Sequence, residues 1–445
     1  MKQVIIILLI CAEAVFAQNI EENIFGFATS NTFTFCDVND TSFINKVARI
    51  NPQVLRFPGG AVGNFYHFGK NGYGFDFDEI DKYYEGSFSK RSRDLENLRR
   101  KNKHQHDYID DFIELVKKTK TKAVLVANPF VKDDEDIILM IQKLQKNNIE
   151  VVGVELGSEV YAQSFFIKGY TIDDYILFAQ RCSNNISKIF PKIKTAIVAA
   201  PLGKEKGHRH NLWNSKLAAM NFYDAIIIHS YAKVTKGKDQ YGQMLSEETE
   251  GKNKSEAFDI YKNRAIDYFQ REYPSEVQEY FSIYKKPIWV TEWNLQMSQT
   301  TGNTLLQSLF VAQYLLELMS NPKLSAIKLT TYHNLGGRTL SAEIFRKIKG
   351  KMEIHSTYYP MMMIGKIFEN KIVRIEQQKS KDIFSYKCYD KNNKEVLSYK
   401  IDWGSHQFSC SYNTVGSSKN SMVYKSANLF DKANNLGILD LEFRE

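Results

Sequence analysis

Short apolar, β-branched runs recur along the chain, each closing on polar or glycine-rich residues and separated from the next by helical periodicity. Eight of them are predicted strands: residues 23–28, 53–57, 123–127, 151–156, 195–199, 225–228, 288–291 and 326–330. Most are continuously apolar rather than alternating, the pattern of strands buried on both faces under covering helices. Between them, residues 107–118 carry Tyr108, Ile109, Phe112, Leu115 and Val116 close to helical spacing. Residues 134–146 and 304–319 repeat that pattern. Asp173 and Asp174 suit the start of a helix over 175–190, since carboxylates cap free amides and favour the positive end of the helix dipole.

Eight strands alternating with helices close into a (β/α)8 barrel or lie open as a doubly wound sheet. The open sheet's phosphate-binding turn is missing, because Gly26-Phe27-Ala28-Thr29-Ser30 is not G-x-G-x-x-G. The barrel is therefore the expected fold, and about 250 residues or more suffice for it. After residue 370 the texture changes to short strands at 372–377, 383–389, 395–401 and 407–412. The expected division of the 445 residues is a signal peptide at 1–17, a catalytic barrel at 18–368 and a β-sandwich-like accessory domain at 369–445 that braces the barrel. Trp403 is the one clear candidate there for an aromatic sugar platform.

Barrel enzymes carry their reactive groups at the C-terminal ends of the strands. Here those positions hold Arg56, Asn128, Glu159, His229, Tyr231, Glu292, Trp293, Tyr332 and His333. Glu159 ends the fourth run and Glu292 the seventh, on opposite sides of a barrel mouth. A carboxylate directly after an apolar strand needs hydrogen bonds, a cation or a function to offset its burial. Two carboxylates flanking one bond suit glycoside hydrolysis: a separation of about 5–5.5 Å implies a covalent intermediate and retention, and about 6.5–9.5 Å implies inversion. Arg56 and Tyr231 are placed to stabilise an ionised Glu292, and the Trp293 ring is expected to stack on a sugar face.

At these residues the chain resembles the clan-A glycoside hydrolases, nearest the α-L-arabinofuranosidase and heparanase-like branches. Val154-Glu155-Leu156-Gly157-Ser158-Glu159 resembles the clan's acid/base motif, and Trp289-Val290-Thr291-Glu292-Trp293 its nucleophile motif. Leu55-Arg56-Phe57-Pro58-Gly59-Gly60 resembles the strand-two motif, and Ile228-His229-Ser230-Tyr231 fits the sixth strand, where the clan places substrate-contacting His and Tyr. The resemblance implies a retaining two-glutamate hydrolase with Glu159 as acid/base and Glu292 as nucleophile, needing no cofactor or metal. Substrate contacts are expected at Arg56, Asn128, Ser158, His229, Tyr231, Trp293, Tyr332 and His333. One position departs: the clan has Asn immediately before its acid/base, where it binds the sugar 2-hydroxyl, and here that residue is Ser158.

The remaining features refine this picture. Residues 1–17, with Lys2, an apolar run over 4–10 and Ala17 before Gln18, read as a secretory signal. No later apolar stretch reaches the 18 residues of a membrane span, so the mature protein is expected to be exported without stable membrane insertion. The formal net charge of +8 permits anionic partners, and Lys204, Lys206, Arg209 and Arg338 favour an anionic sugar. Basic runs at 90–93 and 99–101 lack aromatic interleaving, which argues against nucleic acid. Neither the cysteines nor the pair His104 and His106 has metal-site spacing, and Cys388–Cys410 is the best local guess at a disulfide. A catalytically weak glycan-binding barrel, a polysaccharide lyase and a transglycosylase are the alternatives; oligomeric state is open.

Overall fold

A computed structural model describes residues 20–83, 106–235, 252–338, 342–348, 351–413 and 419–432. The expected signal at 1–17, the basic runs and His104 lie outside the described residues. The eight runs form a closed parallel barrel in chain order. Its strands are β1 (Gly26–Ala28), β2 (Val54–Phe57), β3 (Lys122–Val126), β4 (Val151–Glu155), β5 (Lys194–Val198), β6 (Ala225–Ala232), β7 (Ile288–Leu295) and β8 (Ile327–Tyr332). β1 closes the ring by pairing Gly26 with Val54 of β2 and Thr331 of β8. A Cβ on Gly153 would lie 2.2 Å from the Trp289 ring, so β4 is bare there to admit an indole from β7 across the barrel interior.

Helices cover the outside, as the periodicity predicts: Tyr108–Thr119 after β2, Glu135–Lys146 after β3 and Ile172–Ile189 after β4. The last begins earlier than expected. Thr171 caps it, and Asp174 reaches back 2.8 Å to the Thr171 N–H in a reciprocal capping box.

After β8 the chain adds a small sheet that the sequence pattern did not announce: β9 (Gly336–Gly337), β10 (Phe345–Ile348) and β11 (Lys351–Ile354). The C-terminal strands form one antiparallel sheet in chain order: β12 (Arg374–Ser380), β13 (Ile383–Tyr389), β14 (Glu395–Asp402), β15 (Gln407–Asn413) and β16 (Lys419–Lys425). Its alternating buried positions, among them Phe384, Tyr386, Tyr399, Ile401, Phe408 and Tyr424, make one apolar face.

The helix Leu305–Ser320 lies between that sheet and the barrel, and every residue from Leu305 to Met319 is buried. This is why it is apolar all round rather than on one stripe. Trp403 is wholly buried in this seam and donates its Nε1–H to Gln313 Oε1 at 2.7 Å, so it braces the sheet and cannot serve as a sugar platform. Cys388 and Cys410 are free thiols. They sit on β13 and β15 with β14 between them, roughly 9–10 Å by strand spacing, well beyond disulfide reach. No helix among the described residues is long and apolar enough to cross a membrane.

Candidate active site

The site is built on the C-terminal ends of β2, β4, β6 and β7. Arg56, fully buried on β2, is its hub. Its Nε and Nη2 donate to the two oxygens of Glu155 at 2.7 and 2.8 Å, and its Nη1 donates to Glu292 Oε1 at 2.9 Å. Bidentate pairing uses the planar fork of the guanidinium and fixes its orientation. Glu155, buried at the end of β4, is thus the partner that aims Arg56 at Glu292.

Glu292 reaches this position through a local slip in register. Ile228 of β6 pairs with Val290, and His229 then pairs with Glu292, so Thr291 is the extra residue of a bulge. Bulges re-aim side chains beside active sites. Here Thr291 Oγ1 donates to Glu155 Oε2 at 3.2 Å and lies 3.3 Å from His229 Nε2, so consecutive side chains of β7 both face the interior. The other oxygen of Glu292 accepts from Tyr231 Oη at 2.7 Å and lies 3.7 Å from His229 Nδ1 and 4.0 Å from His333 Nε2. Burial opposes ionisation of Glu292, but His229, His333, Arg56 and the Tyr231 hydrogen bond outweigh it and hold its carboxyl well below the usual range.

Glu159 differs in kind. Its side chain is 46% exposed where that of Glu292 is 8% exposed, so a bound molecule can reach it. Its Oε1 lies 2.8 Å from His229 Nδ1. Burial of His229 disfavours its charged form, yet Glu292 and Glu159 raise its proton affinity above the ordinary value. Carboxylate oxygens of Glu159 and Glu292 and a ring nitrogen of His229 all lie within 4.8 Å of one another. The two acids therefore share one cleft, one held ionised and one open to solvent.

Neither a protein-family model nor a curated protein sequence matches the chain. Solved structures do. An arabinofuranosidase of glycoside hydrolase family 51 from Xanthomonas axonopodis pv. citri superposes with a TM-score of 0.60 at 11% identity, covering 94% of each chain. The α-L-arabinofuranosidase of Thermotoga maritima gives 0.58 at 14% identity, covering 94% of this chain and 95% of that one. A 4-O-α-L-rhamnosyl-β-D-glucuronidase from Fusarium oxysporum gives 0.54 at 10% identity, covering 90% and 80%. The fold is shared with the family 51 arabinofuranosidases. The match runs over the barrel and the C-terminal sheet together.

On this arabinofuranosidase-like fold, Arg56, Glu159, His229, Tyr231, Glu292 and His333 come together as the sequence predicts. Four other expected contacts are corrected. Trp293 is 1% exposed and stacks on Tyr314 at 4.1 Å, because with Glu292 facing inward the next residue of the strand faces the helix layer. Tyr332 is fully buried against Phe27 and Trp293. Asn128 is 5% exposed; its carbonyl oxygen accepts from the Phe130 N–H at 2.9 Å and its amide nitrogen lies 3.4 Å from the Tyr66 carbonyl, so it ties a loop. Ser158 is 2% exposed, with Oγ 3.3 Å from Arg56 Nη2, which turns it away from the cleft.

Of the expected basic residues, Arg209 is engaged: its guanidinium donates to the Tyr161 carbonyl, while Lys204, Lys206 and Arg338 are exposed. Two residues were not singled out from sequence. Glu155 stood inside an apolar run, where a charge is itself the signal. Asn64, fully buried beyond β2, gave no signal.

Among the described residues, two groups bring potential metal ligands within 4.8 Å of one another: Glu159, His229 and Glu292, and His67, Asp76 and Glu79. In the first, Arg56 already supplies a cation to Glu292. In the second, hydrogen bonds to Asp136 and Glu79 raise His67 to about 9, so the imidazolium is itself the cation of its cluster.

Proposed function

We propose that the protein is a retaining glycoside hydrolase in which Glu292 is the nucleophile and Glu159 the acid/base. The observation that carries this reading is the approach of their carboxylate oxygens to within 4.8 Å across one cleft, in unlike environments. That spacing suits direct attack at the anomeric carbon, whereas inversion needs a wider gap that seats a water between the second carboxylate and the sugar. In the first step a Glu292 oxygen bonds to the anomeric carbon as the glycosidic C–O bond breaks, and the Glu159 proton passes to the departing oxygen. In the second, water attacks the same carbon, Glu159 takes its proton and Glu292 leaves as the carboxylate. Arg56 and Tyr231 hold Glu292 ionised and aimed before the first step and receive it after the second. Such preorganised dipoles and charges need no rearrangement at the moment of reaction.

The names of the superposing enzymes direct the choice of sugars: α-L-arabinofuranosides first and β-D-glucuronides second, the latter also matching the positive charge of the exposed Lys204 and Lys206. The leader-like residues 1–17 support export, and N-terminal sequencing of secreted protein should begin at Gln18.

A panel of 4-nitrophenyl and 2,4-dinitrophenyl glycosides of both sugars and of β-D-glucose and β-D-xylose tests the activity. The 2-deoxy-2-fluoro analogue of the sugar that is cleaved tests the mechanism, since it should leave one glycosyl group on the peptide carrying Glu292. Label on another residue, or unsaturated products absorbing in the ultraviolet, would overturn the proposal. Glycan binding without hydrolysis of any panel member would favour a binding barrel instead.

A further inference from the structure

The backbone around Glu159 is under constraint. Gly157 has φ +91° and Glu159, a residue with a side chain, has φ +49°. A non-glycine residue in the left-handed region persists where its surroundings over-determine it. The barrel ladder does not reach that far: the last such bond on this segment runs from the Leu156 N–H to the Ala196 carbonyl at 2.9 Å. Beyond it stands Asn64. Its Oδ1 accepts from the Ser158 N–H at 2.8 Å, and its Nδ2 donates to the Ser158 carbonyl at 2.6 Å. One side-chain amide thereby satisfies both polar groups of the residue preceding Glu159, as a neighbouring strand would.

The mount is rigid. Asn64 is 1% exposed and lies in the tight 3-10 turn Ala61–Phe65, closed by the Gly63 N–H to Gly60 carbonyl bond at 2.9 Å. Next to it the fully buried Phe65 ring stacks on Phe130 at 5.2 Å. The turn follows directly from β2, which carries Arg56. Strand β2 therefore addresses both acids: Glu292 through the guanidinium, and Glu159 through the Asn64 amide.

We propose that Asn64 is a positioning residue for Glu159: by clamping the Ser158 peptide groups it fixes the backbone from which the acid/base projects, and hence the direction of proton delivery. This rests on the reading of Glu159 as acid/base. A group that acts only through proton donation matters in proportion to how poor the leaving group is, because 2,4-dinitrophenolate departs without protonation. That dependence separates positioning of the acid from a merely structural role.

The experiment measures kcat/KM, which for a retaining enzyme reports the steps through glycosyl-enzyme formation, for Asn64→Leu and Asn64→Asp on 2,4-dinitrophenyl and methyl glycosides. The sugar is whichever panel member the wild type cleaves. Asn64→Asp keeps the acceptor and sets a carboxylate against the Ser158 carbonyl. Expected are losses of about tenfold to a hundredfold on the methyl glycoside, below the ceiling of about 10⁴-fold for general acid catalysis. On the dinitrophenyl glycoside the change should stay within about threefold, with sodium azide accelerating turnover through a glycosyl azide. Equal losses on both substrates, or none on either, would overturn the proposal. Glu159→Ala serves as the reference: if it shows no dependence on the leaving group, the acid assignment fails rather than the clamp. A crystal structure of Asn64→Asp gives an answer independent of substrate. Glu159 should leave the left-handed region and lose its 2.8 Å contact with His229; an unmoved Glu159 would refute the clamp.

Discussion

Replacing Arg56 by leucine removes the charge that joins the two halves of the site. The lost contacts are those at 2.7 and 2.8 Å to Glu155, 2.9 Å to Glu292 and 3.3 Å to Ser158. Glu155 is left fully buried with no counter-charge at its side. Removing one member of a buried pair typically destabilises by about 3–5 kcal/mol, and that is the expected loss at pH 7. Part of it carries a pH signature. Glu292 is held well below its ordinary value in the folded protein, so its contribution is fully present above the unfolded value of about 4.3. That contribution fades as pH falls through the folded value. Arg56 supplies a share of it, so the gap between wild type and Arg56→Leu should be widest near pH 7 and should narrow towards pH 3. Denaturant unfolding at both pH values and constant ionic strength measures it. The double variant Arg56→Leu/Glu155→Leu removes both members, and it should be less destabilised than the sum of the singles by about 0.5–3 kcal/mol. A loss below about 1 kcal/mol at pH 7, an equal gap at both pH values, or strict additivity would refute the reasoning.

Other expectations follow from single contacts. Tyr231→Phe removes the 2.7 Å hydrogen bond to an ionised Glu292. A hydrogen bond to a charged group contributes about 1.5–3 kcal/mol, so kcat/KM should fall roughly tenfold to 150-fold and the acidic limb of its pH profile should move up. Trp293→Phe thins the stack on Tyr314, and should lower the unfolding midpoint while leaving KM within about twofold; a tenfold rise in KM would put the indole back in the cleft. The unsubstituted protein should show the same thermal midpoint with and without reductant, since no bond joins Cys388 to Cys410; a drop on adding reductant would refute this.

The barrel was legible because its strands are buried on both faces and read as apolar runs, each of which overlaps an observed strand. The acids were legible for the opposite reason, as charges standing directly where those runs end. What failed has physical causes. Trp293 looked like a cleft residue by adjacency to Glu292, but neighbouring residues of a strand point to opposite faces, and with Glu292 inward the indole faces the helix layer. Strand β16 was missed because Lys419 to Lys425 holds few apolar positions and pairs along one side of β15 only. Asn64 was invisible because its importance lies wholly in Ser158, 94 residues away. Glu155 is masked by its place inside an apolar strand, where its pairing with Arg56 from another strand leaves no local trace.

The chain beyond β16 folds back to the barrel. The Leu305 and Leu306 N–H groups donate to the carbonyls of Asp431 and Leu429, Thr304 and Lys432 form a bridge, and Lys432 Nζ reaches the Gln299 carbonyl at 2.6 Å. Those amides open the helix Leu305–Ser320, which directly follows the strand bearing Glu292. Residues 429–431 thus finish a helix that begins more than a hundred residues earlier. Shortened versions ending near residue 425 would strip that helix of its first backbone partners, and grafting the terminal sheet onto another barrel would leave both halves unfinished. For anyone dividing this protein for expression or recombination, a cut between barrel and terminal sheet would sever these backbone contacts.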